Sequence, residues 1–298
     1  MNLWINAVAL GLAYAASVLG VFVTFRVLAF PDLTVDGSFP LGAAVSAILL
    51  VYGWGAWATL LVAALAGALA GCATAILNGR LRINGLLAGI LVSIGLYTIN
   101  LRVMGEKSNL PLLTQSTVVT PLVPYLGDPN LRGIVVFGVV TLLLALTLYW
   151  LLHTDLGLAL RATGDNEKMV RAQGIDADRM RLVGLAIANG LVAFSGGIVA
   201  QFNGYADIGL GVGMIVASLA AVIIGETLVR PRGIGMTLIA VVIGAVVYRV
   251  FIALALFIGL GPSDMRLVNA LIVIVALAVP RLRSLVLARP QAVAAVRA

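Results

Sequence analysis

From position 3 to 25 the chain reads LWINAVALGLAYAASVLGVFVTF, with no charged side chain, and runs of this kind recur almost to its end. About 20 apolar residues in a helix cross roughly 30 Å of hydrocarbon. A membrane barrel would instead alternate polar and apolar residues over short segments, and these runs do not alternate. The expected fold is all-α, a polytopic transmembrane helical bundle. Composition agrees: 10% of the residues are charged, against about 25% in soluble domains. The mean hydropathy of +1.12 excludes a soluble globular protein.

The apolar runs fall at 3–25, 39–52, 54–77, 83–104, 133–152, 182–201, 211–228, 234–258 and 267–279. They predict about eight or nine membrane segments in a single domain over 1–298. The run at 39–52 is short and is either a crossing or a re-entrant segment. Gly67 and Gly71 are spaced for close helix contact. Cys72 lies beside them and reads as a packed small residue. The first basic residue is Arg26, so the start lacks the basic region of a cleavable signal.

The net charge of +7 suggests nucleic acid, but its distribution suggests topology. Lys and Arg concentrate in cytoplasmic loops of membrane proteins. With the loop at 153–181 inside, all but five of the 19 basic residues fall inside. The exceptions are Arg102, Lys107, Arg132, Arg249 and Arg266. The tail RLRSLVLARP is then cytoplasmic, and 105–132, with four prolines, is the longest outside loop. The amino terminus lies outside if 39–52 crosses and inside if that run is re-entrant. A multi-pass protein of the cell (inner) membrane is expected, with lipid as a partner and no nucleic acid.

The scarce charge collects in one place, LRATGDNEKMVRAQGID at 160–176. Thr154 and Asp155 predict a capped helix through Ala162, which Gly164 ends in a left-handed turn. Asp165 predicts the cap of a second helix that Gly174 ends. Mixed charge with interleaved Leu158, Leu160, Met169 and Val170 suits protein docking, and a solvated connector is the alternative.

The segment GLALRATGDNEKMVRAQGIDADRMRLVGLAIANGLVAFSGGIVA resembles the cytoplasmic coupling region of permeases from ATP-binding cassette importers of the branched-chain amino acid type. Gly157, Arg161, Ala162, Met169, Gly174, Ile175 and Arg179 occupy the matching positions. DLTVDGSFPLGA and ASLAAVIIGETL resemble two further blocks of that family. DLTVDGSF and GETLVRPRG look closest to a subgroup described as a tryptophan/tyrosine-type uptake system. The resemblance implies a coupling segment at 154–179, with Arg161, Gly164, Asp165, Asn166, Lys168, Met169, Arg171 and Gly174 facing an ATPase subunit. It implies three protein partners: that ATPase, an extracytoplasmic solute-binding protein and a second permease copy in a homodimer. The chain contains no G-x-x-x-x-G-K-[ST] motif. No cofactor is therefore expected on it, and ATP and Mg would bind the partner ATPase. The implied cargo is an amino acid or related small organic solute.

Polar groups inside a membrane are costly and mark function. Asp36 and Ser38 precede the short run, where either could cap a helix whose free amides meet a carboxylate, or form a plain cap at the cytoplasmic surface. Tyr97, Thr98 and Asn100 line a pathway or bond between helices. Gln201, Asn203, Tyr205 and Asp207 form an outer turn, either a contact for the binding protein or a plain surface loop. Glu226 is expected to pair with Arg230 and Arg232, and His153 to cap or snorkel at the inner interface. No metal-ligand or catalytic motif is present, so the chain reads as a transport subunit and not an enzyme. An ion-coupled secondary transporter is the alternative, with Glu226 and Asp36 as its candidate ion sites.

Overall fold

The computed structural model describes residues 3–261, 264, 267–276 and 278. The tail RLRSLVLARP, Arg266 and the end of the ninth run lie outside the described residues. The apolar runs fold as helices α1 (Leu3–Phe22), α2 (Val35–Val51), α3 (Ala56–Gly79), α4 (Gly85–Val103) and α5 (Pro129–His153). The charged island folds as two short helices, α6 (Asp155–Asp165) and α7 (Glu167–Ala172). Helices α8 (Ala177–Asn203), α9 (Met214–Val229), α10 (Ile234–Phe257) and α11 (Leu267–Ala276) complete the bundle. Seven helical segments are long and apolar enough to cross a membrane, and α2 and α11 are shorter apolar helices.

The helices stack around α2 and α8. Close approach depends on small residues, as the spacing of Gly67 and Gly71 predicts. A Cβ on Gly71 would lie 2.1 Å from the Leu185 carbonyl oxygen, and one on Gly67 2.3 Å from that of Asn189. Backbone therefore meets backbone between α3 and α8, and any side chain there would force them apart. Leucines on α3, α4 and α5, such as Leu65, Leu91 and Leu142, remain exposed on the outer faces, as lipid-facing residues do.

From its start inside the bundle the short run leads out to the end opposite the island. At one end of the bundle, the π-helical turn Val23–Val27 that closes α1 meets α6. At the other end Trp4 packs on Phe257, the last residue of α10, with ring centroids 6.0 Å apart. So α1 runs from the end opposite the island toward the island, and α2 runs back. This selects the outside position for the amino terminus once the island is placed inside.

Helix α2 has 17 residues, about 25 Å of helix. It begins inside the bundle, where Thr34 Oγ1 is 2.6 Å from Thr74 Oγ1 of α3. The end opposite the island carries a two-stranded ribbon, Asn109–Pro111 (β1) antiparallel to Tyr205–Asp207 (β2). These are the only strands among the described residues. Tyr52, Trp54 and Trp57 are exposed near that end, the usual place for an aromatic belt.

Candidate functional site

Two regions gather the polar residues. The first is the island. Thr154 accepts the Gly157 N–H and caps α6, as its sequence predicts. Gly164 does not end that helix. It is helical, and α6 continues to Asp165. A Cβ on Gly164 would lie 2.0 Å from the Val27 carbonyl oxygen, and one on Gly157 2.1 Å from that of Leu151. Glycine is needed there for contact rather than for a turn: α6 lies with bare backbone against the ends of α1 and α5. The cap of α7 is Asn166, whose Oδ1 accepts the Met169 N–H at 3.1 Å. Asp165 does not cap it. Gly174 has φ of +84° and ends the pair in the expected left-handed turn.

The island's charges are largely paired with one another. Arg171 donates to Glu167 at 3.0 Å and to Asp178 at 2.8 Å. These two carboxylates, Asp178 foremost, hold its guanidinium pKa above the ordinary value. Arg181 joins both acids from α8. The network fastens α7 to the first turn of α8. What it leaves outward is a ridge of Asp165, Asn166, Lys168, Met169, Gln173 and Gly174, with Met169 59% exposed. Arg161 faces elsewhere. With Arg26, Asp165, Glu226 and Arg230 it lines a cleft of about 600 Å³ between α6 and the ends of α1, α9 and α10. Glu226 forms its ion pair there with Arg26, 200 residues away, and not with Arg230 or Arg232. His153 Nδ1 is 2.7 Å from the Tyr149 carbonyl oxygen.

The second region lies deep in the bundle, where α2 and α9 begin face to face. Gly213, with φ of +78°, precedes α9 and offers it no side-chain cap. Asp36 supplies one, accepting the Ile215 N–H at 2.9 Å and the Gly213 N–H at 3.4 Å. This corrects the expectation that Asp36 caps its own helix. The start of α2 is held by Asp32, whose Oδ1 accepts the Thr34 N–H at 2.9 Å. Asn189 of α8 donates to the other Asp32 oxygen at 2.6 Å and accepts from Ser38 Oγ at 2.7 Å. Asp32, Ser38 and Asn189 are fully buried, so Ser38 is committed to this chain and does not line an open passage.

The remaining candidates separate. Asn100 is buried and donates to the Gly37 carbonyl at 3.2 Å, a bond between helices, while Tyr97 and Thr98 point outward from α4. Gln201 is 2% exposed. It donates to Ser46 Oγ, Thr59 Oγ1 and the Ala56 carbonyl and accepts the Val118 N–H at 3.0 Å. It ties the 105–132 loop to the bundle, which removes it from any surface contact. Asn203 is half-buried, Tyr205 is 39% exposed, and Asp207 bonds to Asn109 across the ribbon. Arg249 lies within α10, as its place in the run 234–258 implies. Its guanidinium carbon is 3.4 Å from the Tyr14 ring centroid. Counting basic residues by loop conceals it, although a lone Arg inside an apolar run is visible in the sequence. Among the described residues no cluster of three or more His, Cys, Asp or Glu side chains could hold a metal ion.

Residues 3–279 match the family described as branched-chain amino acid transport system / permease component. The tyrosine transport system permease protein of Clostridioides difficile is 36% identical over 87% of this chain and 85% of its own length. An uncharacterised protein of Rickettsia prowazekii is 33% identical over 93% and 97%. The autoinducer 2 import system permease protein LsrC of Yersinia pseudotuberculosis is 31% identical, over 72% of this chain and 59% of the relative. PsaBC from Streptococcus pneumoniae, solved in complex with Fab, shares the fold at a TM-score of 0.51 and 16% identity. The match covers 92% of this chain and 89% of that one.

Proposed function

This chain belongs to the branched-chain amino acid permease family, a multi-pass membrane component of transport systems, and from that premise we propose that it is the membrane subunit of an ATP-driven importer. Its cargo is an amino acid or related small organic solute, in line with the tyrosine permease among its relatives. Two copies form the permease, a separate ATPase binds ATP and Mg, and a binding protein delivers the solute from outside. The whole chain serves as one permease domain.

One observation carries this reading. The island is a rigid elbow with an outward ridge centred on Met169, and its inner side rests backbone to backbone on the ends of α1 and α5. A push on that ridge reaches two membrane helices without passing through a flexible side chain. Asp165, Asn166, Lys168, Met169 and Gly174 take the docking role. Arg171 acts as a fastening, Arg161 lines the cleft behind, and Gly164 provides the contact. On the opposite side the ribbon, with Tyr205 exposed, is the docking place for the binding protein. Asn203 and Asp207 shape that end.

Met169→Asp tests the reading. Expected are normal permease levels in the membrane, loss of co-purification with the ATPase and loss of ATP-driven uptake. Normal co-purification and uptake would reduce the island to a connector. Uptake that survives ATP depletion and collapses with the ion gradient would favour a secondary transporter.

A further inference from the structure

Arg249 is the one charged residue of α10. It lies about 22 Å along the axis from the start of that helix and about 12 Å from its end, well within hydrocarbon depth. Every Asp and Glu side chain of the protein is among the described residues. None of the salt bridges they form includes Arg249. Its Nε is buried with no hydrogen-bond partner. The guanidinium lies on the Tyr14 ring, and Tyr14 in turn stacks on Phe39 of α2 with centroids 5.3 Å apart. Arg249 is thus positioned by packing and has no anionic partner among the described residues. Beside it Ser218, 1% exposed, has an Oγ with no partner. Both residues line a void about the size of one water, together with Tyr14, Met214 and Tyr248.

A cation at this depth faces a bundle interior or a water-filled passage and not lipid. Arg249 is only partly buried, so part of its side chain lies outside the packed core. The ring beneath it offsets part of the desolvation cost, but the donors remain unpaired. Nε and a terminal nitrogen make the flat edge that takes a carboxylate in two parallel hydrogen bonds. The void that Arg249 and Ser218 line is about the size of one water, room for a single oxygen atom.

We propose that Arg249, held on Tyr14 and flanked by Ser218, recognises the carboxylate of the solute as it passes through the half of the membrane opposite the island. This rests on the reading of the chain as an importer of amino acids.

The test uses the permease assembled with its ATPase and binding protein in proteoliposomes, with L-tyrosine as the probe. R249M is expected to lose at least about tenfold of the ATP-driven uptake per assembled complex, the scale of a lost charge-assisted bond pair. R249K is expected to keep more, with a raised KM and a smaller change in the maximal rate. A purely structural arginine would lower the yield of complex and leave KM alone. In a Cys72→Ala chain, Arg249→Cys is expected to react with an anionic methanethiosulfonate added from outside, and L-tyrosine to slow that reaction. Absence of labelling, or uptake by R249M equal to wild type, overturns the inference and leaves the proposed function standing. Failure of the wild-type complex to import any amino acid overturns the proposed function, and the carboxylate assignment with it. Labelling would still report whether Arg249 lines a passage.

Discussion

The island and the buried meeting point of α2 and α9 solve the same problem in opposite ways. Each contains helix starts whose first N–H groups need acceptors. In the island the acceptors are local: Thr154, Asn166 and Asp176 cap helices that begin at the next residue. In the bundle the acceptor for α9 is Asp36, 179 residues before the amide it serves. Water explains the difference. An exposed helix start falls back on solvent, so its cap is a modest local refinement. A start enclosed in an apolar bundle has no solvent and needs a protein acceptor: α2 finds one nearby in Asp32, and α9, which Gly213 leaves without a cap of its own, takes Asp36 from across the bundle.

That contrast predicts a descending series. The largest effect is expected from Asp36→Leu, which strips the Ile215 and Gly213 amides of their acceptor. Several kcal/mol per unpaired group is the expected scale, enough to prevent stable accumulation in the membrane. Asp36→Asn keeps one acceptor oxygen and should retain most of the folded protein and its transport. Detergent-extracted yield and melting temperature compare the two. A Leu variant as stable as Asn would show that solvent reaches this site. An Asn variant that folds but transports nothing would instead argue for a titrating carboxylate.

Asn189→Ala comes next. It leaves Asp32 and Ser38 without their shared partner, at roughly 1–3 kcal/mol for buried groups left unsatisfied. A lowered melting temperature checks this, and an unchanged one would show that the chain Asp32–Asn189–Ser38 is dispensable. In the island, Asn166→Ala should cost about 1 kcal/mol, read as faster proteolysis between α6 and α7 with the bundle intact. Equal cleavage would place the hold on α7 in its ion pairs instead. The smallest effect is expected from Glu167→Gln. It breaks contacts to Arg171 and Arg181 that are partly exposed and screened, at about 0.5 kcal/mol, and the difference should shrink in high salt. A loss as large as that of Asn189→Ala would mean that the island's charges act as buried ones.

The two regions also differ in how far they were legible in the sequence. Gly174 and Thr154 act as their neighbourhoods predict, because a turn and a cap are decided within a few residues. Asp165 loses the cap because Asn166, one position on, is a competing acceptor for the same helix start. Gly164 carries the same glycine signature for close contact with Val27 as for a left-handed turn, so its neighbourhood in the chain does not separate the two. Gln201 resembles a surface turn residue, yet its amide oxygen accepts from the Val118 N–H of the 105–132 loop while its amide nitrogen donates to Ser46, Ala56 and Thr59 of the bundle. Glu226 had two arginines within reach along the chain, but pairs with Arg26 because α1 ends beside α9.

The membrane bundle, the approximate spans, the close approach at Gly67 and Gly71 and the position of the charged island can all be read along the chain. These follow from runs, spacings and charge counts that act over one helix or one turn. Only the tertiary structure decided that Asp36 serves α9, that Asn189 joins Asp32 to Ser38 and that Arg249 rests on Tyr14. Those partners are 151 to 235 residues apart in the chain. Apolar helices specify burial but not which neighbour they meet, and the pairing of buried polar groups is settled only when backbones pack closely enough to exclude every other partner.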